Sequence, residues 1–409
     1  MSMLALWRGG LKADYEAVFI ESWSPYLGSI LLVLLILGLM VHGLFWGVFG
    51  GLRLWGDWFN QAIGLGGLLK IKPELDSPLI DRMSLMNGTL IAGAFAAALM
   101  SRQFGIHRAP RLEYLWGAAG GTLMGIGATL AGGCTAGGFF TPVLHSSPAG
   151  WMMAAGLIAG AVIGLKLLVW TLENVAWGMT APKPLEPPLR AWHPAIAVLL
   201  FAGIAAWTAA WTGSADEKLA SRAIIVVSGF LMGFVMHRSR LCFARAFREP
   251  FMTAEGEMTK AIILALAIAI PAASLIFQKK LIDPYVAIPP TFWFGSVAGG
   301  LVFGIGMIFA GGCASGALWR AGEGHLKLWV AVFFFAWGGS TFSGILRRWD
   351  VMARDVNLES IEFTKVGIQA YLPDMLGGWG WAYGIGLGVL FICYLAVRYN
   401  ESTEKFTVV

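Results

Sequence analysis

Residues 119–137 read Ala-Gly-Gly-Thr-Leu-Met-Gly-Ile-Gly-Ala-Thr-Leu-Ala-Gly-Gly-Cys-Thr-Ala-Gly, and residues 298–316 read Ala-Gly-Gly-Leu-Val-Phe-Gly-Ile-Gly-Met-Ile-Phe-Ala-Gly-Gly-Cys-Ala-Ser-Gly. The two stretches are identical at eleven of nineteen aligned positions, including the Gly-Gly-Cys near the end of each. This duplication predicts two related halves of the chain, with Cys134 and Cys313 at equivalent positions.

The composition of the chain is that of a membrane protein. Hydrophobic residues make up 57% of the sequence and charged residues only 13%, against about 25% charged residues in soluble domains. Apolar runs close to the ~20 residues of a membrane span recur along the chain. We therefore predict an all-α polytopic membrane protein with nine or ten transmembrane helices. The predicted spans are 27–50, 84–101 (short enough to be re-entrant), 114–134, 149–171, 192–212, 222–243, 258–279, 292–313, 326–346 and 379–398.

The order of these spans predicts how the two halves are related. The duplicated segments are the third and eighth spans, so they run in opposite directions if all the spans cross the bilayer. Such inverted pseudo-repeats place substrate sites at the repeat interface. We expect one transport domain over 1–409, with repeat one at about 68–179, a Pro-rich linker at about 180–194, repeat two at about 195–346 and a C-terminal span at 379–398.

The charge of the chain points to anions and lipid rather than to nucleic acid. The net charge is +5, which in a membrane protein reflects Lys and Arg in the loops, together with a possible attraction for anions. These residues are almost evenly divided between the two sets of loops, so the positive-inside rule gives little information on orientation.

The two Gly-Gly-Cys segments are the strongest candidates for a substrate pathway. Gly132 and Gly133 precede Cys134, and Gly311 and Gly312 precede Cys313. Glycine permits close backbone approach, and a thiol offers a weak donor and a polarizable acceptor. The alternative is tight helix packing with Cys as a small apolar residue. The occurrence of two matching copies favours the pathway.

A second cluster of candidates lies in the motif His-Arg-Ser-Arg-Leu-Cys-Phe-Ala-Arg, residues 237–245. At helical spacing Arg238, Cys242 and Arg245 share a face, and guanidinium groups can attract an oxyanion. An ordinary basic cluster at lipid headgroups is the alternative, and it is favoured for Arg240 and Arg248. In the first half, Arg82 is aligned with Arg238 and Met86 with Cys242.

Other residues give weaker signals. Glu323 and His325 either bind a partner or cap the following helix, and we favour the cap. His145 either lines an entrance or is a solvated loop residue, and we favour the solvated residue. The sequence contains no phosphate-binding loop, dinucleotide fingerprint or Cys-x-x-Cys pair, so no cofactor, catalytic residue or metal site is expected.

These motifs resemble those of the YeeE/YedE family of inorganic sulfur transporters. The resemblance rests on the doubled Gly-Gly-Cys, on Arg238–Phe243 and on the Arg-Ala-Gly-Glu-Gly run at 320–324. It implies an hourglass of inverted repeats in the bacterial inner membrane, through which a thiosulfate-like anion passes Cys134, Cys313 and Cys242. It also implies a cytosolic sulfur-carrier partner of the TusA type.

The sequence departs from the thiosulfate-importer pattern at Met86, where that pattern has Cys, and in its long region before Leu68. Both features look more like the YedE branch, which is associated with selenium metabolism, so a selenium-containing anion remains open. Two other functions also remain open. One is a membrane thiol enzyme of the sulfurtransferase type, and the other is a soft-metal transporter, since thiols and Met suit Cu(I).

Overall fold

The computed structural model describes residues 10, 12–175, 184–185, 190–214, 216–353, 355–356 and 362–408. These residues form mostly long apolar helices, together with several short helices and a small sheet. The helices are α1 Pro25–Val41, α2 Phe49–Ala62, α3 Arg82–Met100, α4 Arg111–Leu130, α5 Thr141–Leu144, α6 Pro148–Asn174, α7 His193–Thr212, α8 Glu217–Arg238, α9 Phe243–Met252, α10 Glu257–Gln278, α11 Phe294–Ala310, α12 Ala314–Glu323, α13 Leu326–Arg348, α14 Leu372–Met375 and α15 Trp379–Thr403. Single turns of π or 3₁₀ helix lie at Glu16–Ile20, Thr135–Phe140, Arg190–Trp192 and Pro284–Ala287.

The described residues contain nine helical segments that are long and apolar enough to cross a membrane. A tenth is obtained if Lys12–Ile20 and Pro25–Val41, which meet at 77°, form one span. The prediction of an all-α polytopic membrane protein with nine or ten spans is therefore confirmed. The first predicted span, 27–50, is wrong in its extent, because α1 ends at Val41 and a new helix begins at Phe49.

The ends of several helices follow from local sequence. Ser24 accepts a hydrogen bond from the amide of Tyr26, and Pro25 occupies the first helical position of α1. The same Ser-Pro arrangement begins α6 at Ser147. Asp81 caps α3 by accepting from the amide of Ser84. Polar N-caps followed by proline are standard start signals, because they satisfy or remove amides that have no partner within the helix.

The two copies of the duplicated segment pack against each other in antiparallel fashion. Gly120, midway along α4, lies against Gly306 and Ala310 near the end of α11, whereas Gly127, near the end of α4, lies against Gly299 near the start of α11. A Cβ at Gly127 would fall 2.5 Å from the carbonyl oxygen of Gly299, so the backbones touch only because both residues lack side chains. In the alignment of the two copies, Gly120 is equivalent to Gly299 and Gly127 is equivalent to Gly306. The contact 120–306 in one copy order is therefore the contact 127–299 in the other.

The surrounding helices repeat this relationship. The next long helix after each copy packs on the other copy, so α6 lies on α11 and α13 lies on α4. Gly160 of α6 faces Gly304, and Gly339 of α13 faces Gly125. Further out, α3 packs on α8 and α1 packs on α10.

The linker predicted at 180–194 is described only in part, because residues 180–183 and 186–189 lie outside the described residues. The division of the chain into repeats around it stays a prediction.

A small sheet precedes the last long helix. Strands β1 Asp355–Val356, β2 Glu362–Thr364 and β3 Gly367–Ile368 pair in that order and antiparallel, with Phe363 opposite both Asp355 and Ile368. The Thr364 hydroxyl donates to the carbonyl of Pro290, and Gln369 donates to that of Ile288. The sheet is thereby fixed beside the loop that leads into α11.

Candidate functional site

Four long helices, α1, α4, α8 and α11, each end at a break, after which a shorter helical segment begins. The N-cap residue, immediately before each second segment, is Val48 after α1, Cys134 after α4, Cys242 after α8 and Cys313 after α11. All four side chains are buried. Each half therefore presents two such positions, and a thiol occupies three of the four.

The two breaks of each half lie against each other. In the second half, the sulfurs of Cys242 and Cys313 are 3.8 Å apart. In the first half, the backbone amides of Val48 and Phe49 face the sulfur of Cys134. A Cβ on Gly316 would meet Cys242, and one on Gly137 would meet Gly47. Val48 thus stands opposite Cys134 as Cys242 stands opposite Cys313.

The alignment of Met86 with Cys242 is therefore wrong. Arg82 is the first residue of α3, whereas Arg238 is the last residue of α8, so the two arginines occupy opposite ends of helices. Met86 is buried where α3 crosses α8, with Gly229 against its backbone. In the first half, the position that corresponds to Cys242 is occupied by Val48, an apolar residue that gives no signal in the sequence.

The Gly-Gly-Cys segments form two narrow turns, which we call the first neck (Gly132–Cys134) and the second neck (Gly311–Cys313). Gly132 and Gly311 have φ of +73° and +81°, a left-handed conformation that favours glycine. Gly133 packs on Gly138, and Gly312 lies near Ala317. In the second neck, the amide of Gly316 donates to the Cys313 sulfur at 3.3 Å.

Aromatic rings from the segments around Cys134 and Cys242 contact one another, and all of them except Phe247 are buried. Trp46, Phe139, Phe140, Phe243 and Phe247 form a chain of ring contacts with centroids 5.3–6.3 Å apart. The segment Thr135–Phe140 also packs on α12. The two necks are therefore parts of one continuous core.

A polar cavity, the first vestibule, borders the first neck. It has a volume of about 490 Å³, and its lining includes Gly132, Gly133, Arg53, Arg347 and Glu362. The Nε of Arg347 is buried and has no hydrogen-bond partner among the described residues.

A second cavity, the second vestibule, borders the second neck at Gly311. Its volume is about 620 Å³. Its charged lining residues are Arg108, Glu113, Arg248, Arg320 and Lys327.

Four of these five charges are positive, so the second vestibule is cationic. Arg320 donates to the carbonyl of Gly311, and Lys327 pairs with Glu113 at 3.2 Å. The Nε of Arg248 is buried and, in the described part of the chain, has no hydrogen-bond partner. Guanidinium groups that line a cavity suit an oxyanion, because their N–H groups bind its oxygens with directed hydrogen bonds.

The two vestibules lie at opposite ends of the central helix pair. The first neck follows the end of α4 and the second neck follows the end of α11, and these helices are antiparallel.

The arginines proposed for anion attraction do not line either vestibule. Arg238 is buried and donates to the carbonyl of Glu21. The guanidinium of Arg245 pairs with Glu249 at 2.6 Å, while its backbone amide faces Cys242. Arg82 is exposed at the start of α3. The cations that border the necks come instead from α2, α9, α12 and α13 and from the loop before α4.

Glu323 does not serve as the predicted cap. It is buried and accepts two hydrogen bonds from Arg240 at 2.8 Å. His237 and His325 lie 3.6 Å and 3.5 Å from its carboxylate. Arg240 therefore belongs to a buried ion-pair network rather than to a lipid-facing basic cluster.

Two histidines differ in setting from ordinary loop residues. Burial and the stacked ring of His325 lower the pKa of His107, which lines the second vestibule. His145, expected to be solvated, is fully buried, and its Nδ1 lies 2.9 Å from the carbonyl of Pro284. Burial lowers the pKa of His145 to about 4, so this ring is neutral at pH 7.

Comparison with known proteins gives matches along most of the chain. A family model described as Sulphur transport matches residues 10–163 and 238–408. The probable transporter YedE of Escherichia coli is 32% identical over 307 residues, which cover 71% of this chain and 73% of that protein. The thiosulfate transporter TsuA of Spirochaeta thermophila is 32% identical over 181 residues, which cover 43% of this chain and 54% of that protein.

Proposed function

Because the chain belongs to this sulphur-transport family, as its resemblance to YeeE/YedE proteins predicted, we propose that it carries a small thiosulfate-like anion across the bacterial inner membrane. The anion enters one cationic vestibule, passes the cysteine-lined necks and leaves through the other vestibule. The names of the family and of the relatives point to a transporter rather than an enzyme.

One observation carries this proposal. Each Gly-Gly-Cys neck borders a cavity lined by arginines, which are Arg53 and Arg347 at the first neck and Arg108, Arg248 and Arg320 at the second. The oxygens of a sulfur oxyanion are suitable acceptors for such donors, and its terminal sulfur can accept the weak S–H hydrogen bond of a thiol. The antiparallel packing of α4 and α11 supports an inverted repeat that places these cavities on opposite sides of the bilayer.

The cysteines proposed for the pathway are Cys134, Cys242 and Cys313, with the neck glycines beside them. Cys134 and Cys313 end the two necks, the sulfur of Cys242 lies 3.8 Å from that of Cys313, and all three thiols are buried, whereas Cys393 is partly exposed on α15. Met86 is the least supported of the pathway residues proposed from the sequence, since it lies outside the breaks.

Uptake of labelled thiosulfate by cells that lack other importers tests the proposal. We expect Cys134→Ser and Cys313→Ser each to reduce uptake at least tenfold, because serine lacks the polarizable sulfur. Cys393→Ser is the matched control and should leave uptake unchanged. Full uptake by the Cys134→Ser/Cys313→Ser double variant would contradict the thiol relay.

The exact identity of the transported anion and the identity of a partner protein are separate proposals. Competition by unlabelled selenosulfate, measured in the same assay, distinguishes a selenium-preferring protein from a thiosulfate transporter. Association with a TusA-type carrier is tested by co-purification.

A further inference from the structure

The two thiols of the second half are in direct contact. The Cys242 and Cys313 sulfurs are 3.8 Å apart, and the side chains are 3% and 0% exposed. Cys242 precedes α9, and Cys313 precedes α12. Each sulfur therefore belongs to the N-cap residue of a different short helix.

This pair has no equivalent in the first half. Cys134 faces the backbone at Val48, so it has no thiol opposite it at the other break. The one remaining thiol, Cys393, is on α15, which packs on α9 and α10. Of the four cysteines, only Cys242 and Cys313 are placed to react with each other.

We propose that Cys242 and Cys313 form a reversible disulfide that closes the second neck, and that oxoanions with an internal S–S bond, such as tetrathionate, oxidise them. The regulatory part of this proposal rests on the transport function proposed above. A disulfide has an S–S bond of about 2.05 Å, so the two sulfurs must approach by roughly 1.8 Å from their present separation.

The chemistry follows ordinary thiol–disulfide exchange. One thiolate attacks an inner sulfur of tetrathionate, the central S–S bond breaks, and one thiosulfate leaves. The second thiolate then attacks the cysteine sulfur of the mixed intermediate and releases a second thiosulfate. Tetrathionate is reduced by two electrons, the two thiols are oxidised, and their two protons go to water.

The position of the Cys242–Cys313 disulfide explains why it would close the second neck. The disulfide joins the starts of α9 and α12 beside Gly316, where a Cβ would already lie 2.7 Å from the Cys242 sulfur. It removes both thiols from the pathway and prevents the two helices from separating. A pathway that admits thiosulfate-like anions would therefore be blocked by their oxidised form and reopened by a reductant.

The test uses the purified full-length protein treated with tetrathionate, or with diamide as a second oxidant. After denaturation, free thiols are alkylated and counted by mass spectrometry. We expect two of the four cysteines, Cys134 and Cys393, to be alkylated, and a linked peptide to join Cys242 to Cys313. Cys242→Ser and Cys313→Ser should each abolish the linked peptide, whereas Cys134→Ser should retain it.

A second measurement follows transport in vesicles. Tetrathionate should reduce thiosulfate uptake at least tenfold, and dithiothreitol should restore it. The absence of a 242–313 linkage in folded, monodisperse protein, or full uptake by the linked protein, would overturn the proposal. If reduced wild-type protein carries no thiosulfate, the transport proposal fails separately, because the linkage is read by mass alone.

Discussion

At the scale of single residues, the cations beside the second neck are not the arginines that the sequence predicted. Arg238 and Arg245 stand beside Cys242 in the sequence, but their guanidinium groups bind Glu21 and Glu249. Arg320 and Lys327 border the second neck instead, since α12 folds back onto it. Whether an arginine near a cysteine faces the thiol or a carboxylate depends on tertiary contacts, which sequence spacing does not contain.

Lys327 should contribute mainly to substrate affinity. Its ammonium lies near Gly311 and pairs with Glu113, so Lys327→Gln leaves the carboxylate of Glu113 unpaired in the second vestibule. We expect the KM for thiosulfate uptake to rise roughly tenfold, equivalent to about 1.4 kcal/mol. Lys327→Arg keeps the charge and should be near wild type, as should Arg82→Gln, which lies outside both vestibules. Equal KM values for Lys327→Gln and Arg82→Gln would contradict this role.

His145 should make stability depend on pH. Its pKa is about 4 in the folded protein and near 6.5 when unfolded, with Asp283 as the charged group facing it. Between these values the unfolded state binds a proton that the folded state does not, so the free energy of unfolding falls as pH falls. The loss is about 2 kcal/mol at pH 5 and is absent above pH 7.

The expected effect of His145 is measured as the change in Tm between pH 7.5 and pH 5 in detergent. His145→Gln keeps a donor near the carbonyl of Pro284 but cannot titrate, so its Tm should fall less than that of wild type. An identical pH dependence in the two proteins would show that His145 does not carry it.

At the scale of helices, close glycine contacts decide the packing of the core. The repeated Gly residues at 119–137 and 298–316 indicated close packing, and the structure shows that each copy packs on the other. The break between α1 and α2 was missed because its residues are apolar, including buried Trp46 and Val48. Hydropathy detects apolar length, and an irregular segment that is buried in protein keeps that apolar character.

Gly127→Ala tests this packing. The added methyl would lie 2.5 Å from the backbone of Gly299 and Phe303, and overpacking of this kind costs roughly 1–3 kcal/mol. We expect a lower Tm and lower yield of folded protein. Gly388→Ala is the control, because a Cβ there meets nothing within 4 Å and alanine favours the helix. The packing argument fails if both variants melt alike.

At the scale of the whole molecule, composition was enough to identify the fold class. Low charge and repeated apolar runs were enough to predict the number of spans, whereas the division into two repeats stays a prediction. The vestibules could not be predicted, since their linings come from segments far apart in sequence, such as Arg53 with Arg347 and Arg108 with Arg320.

The two vestibules should be accessible from opposite sides of the membrane. Met352 lines the first and Arg108 lines the second. A membrane-impermeant maleimide added to intact spheroplasts should label only one of the variants Met352→Cys and Arg108→Cys. The other should react only after permeabilisation, and wild type gives the background. Labelling of both variants in intact spheroplasts would rule out a pathway running from one vestibule to the other.

The self-complementary contact between α4 and α11 has an evolutionary consequence. Because contacts 120–306 and 127–299 exchange when the copies exchange, a single sequence is sufficient to build this pair. A half-length polypeptide inserted in both orientations could form the same core as a homodimer. Such a dual-topology ancestor must avoid a strong Lys and Arg bias in its loops, and the nearly balanced loop charges of this chain are what its duplication and fusion would leave.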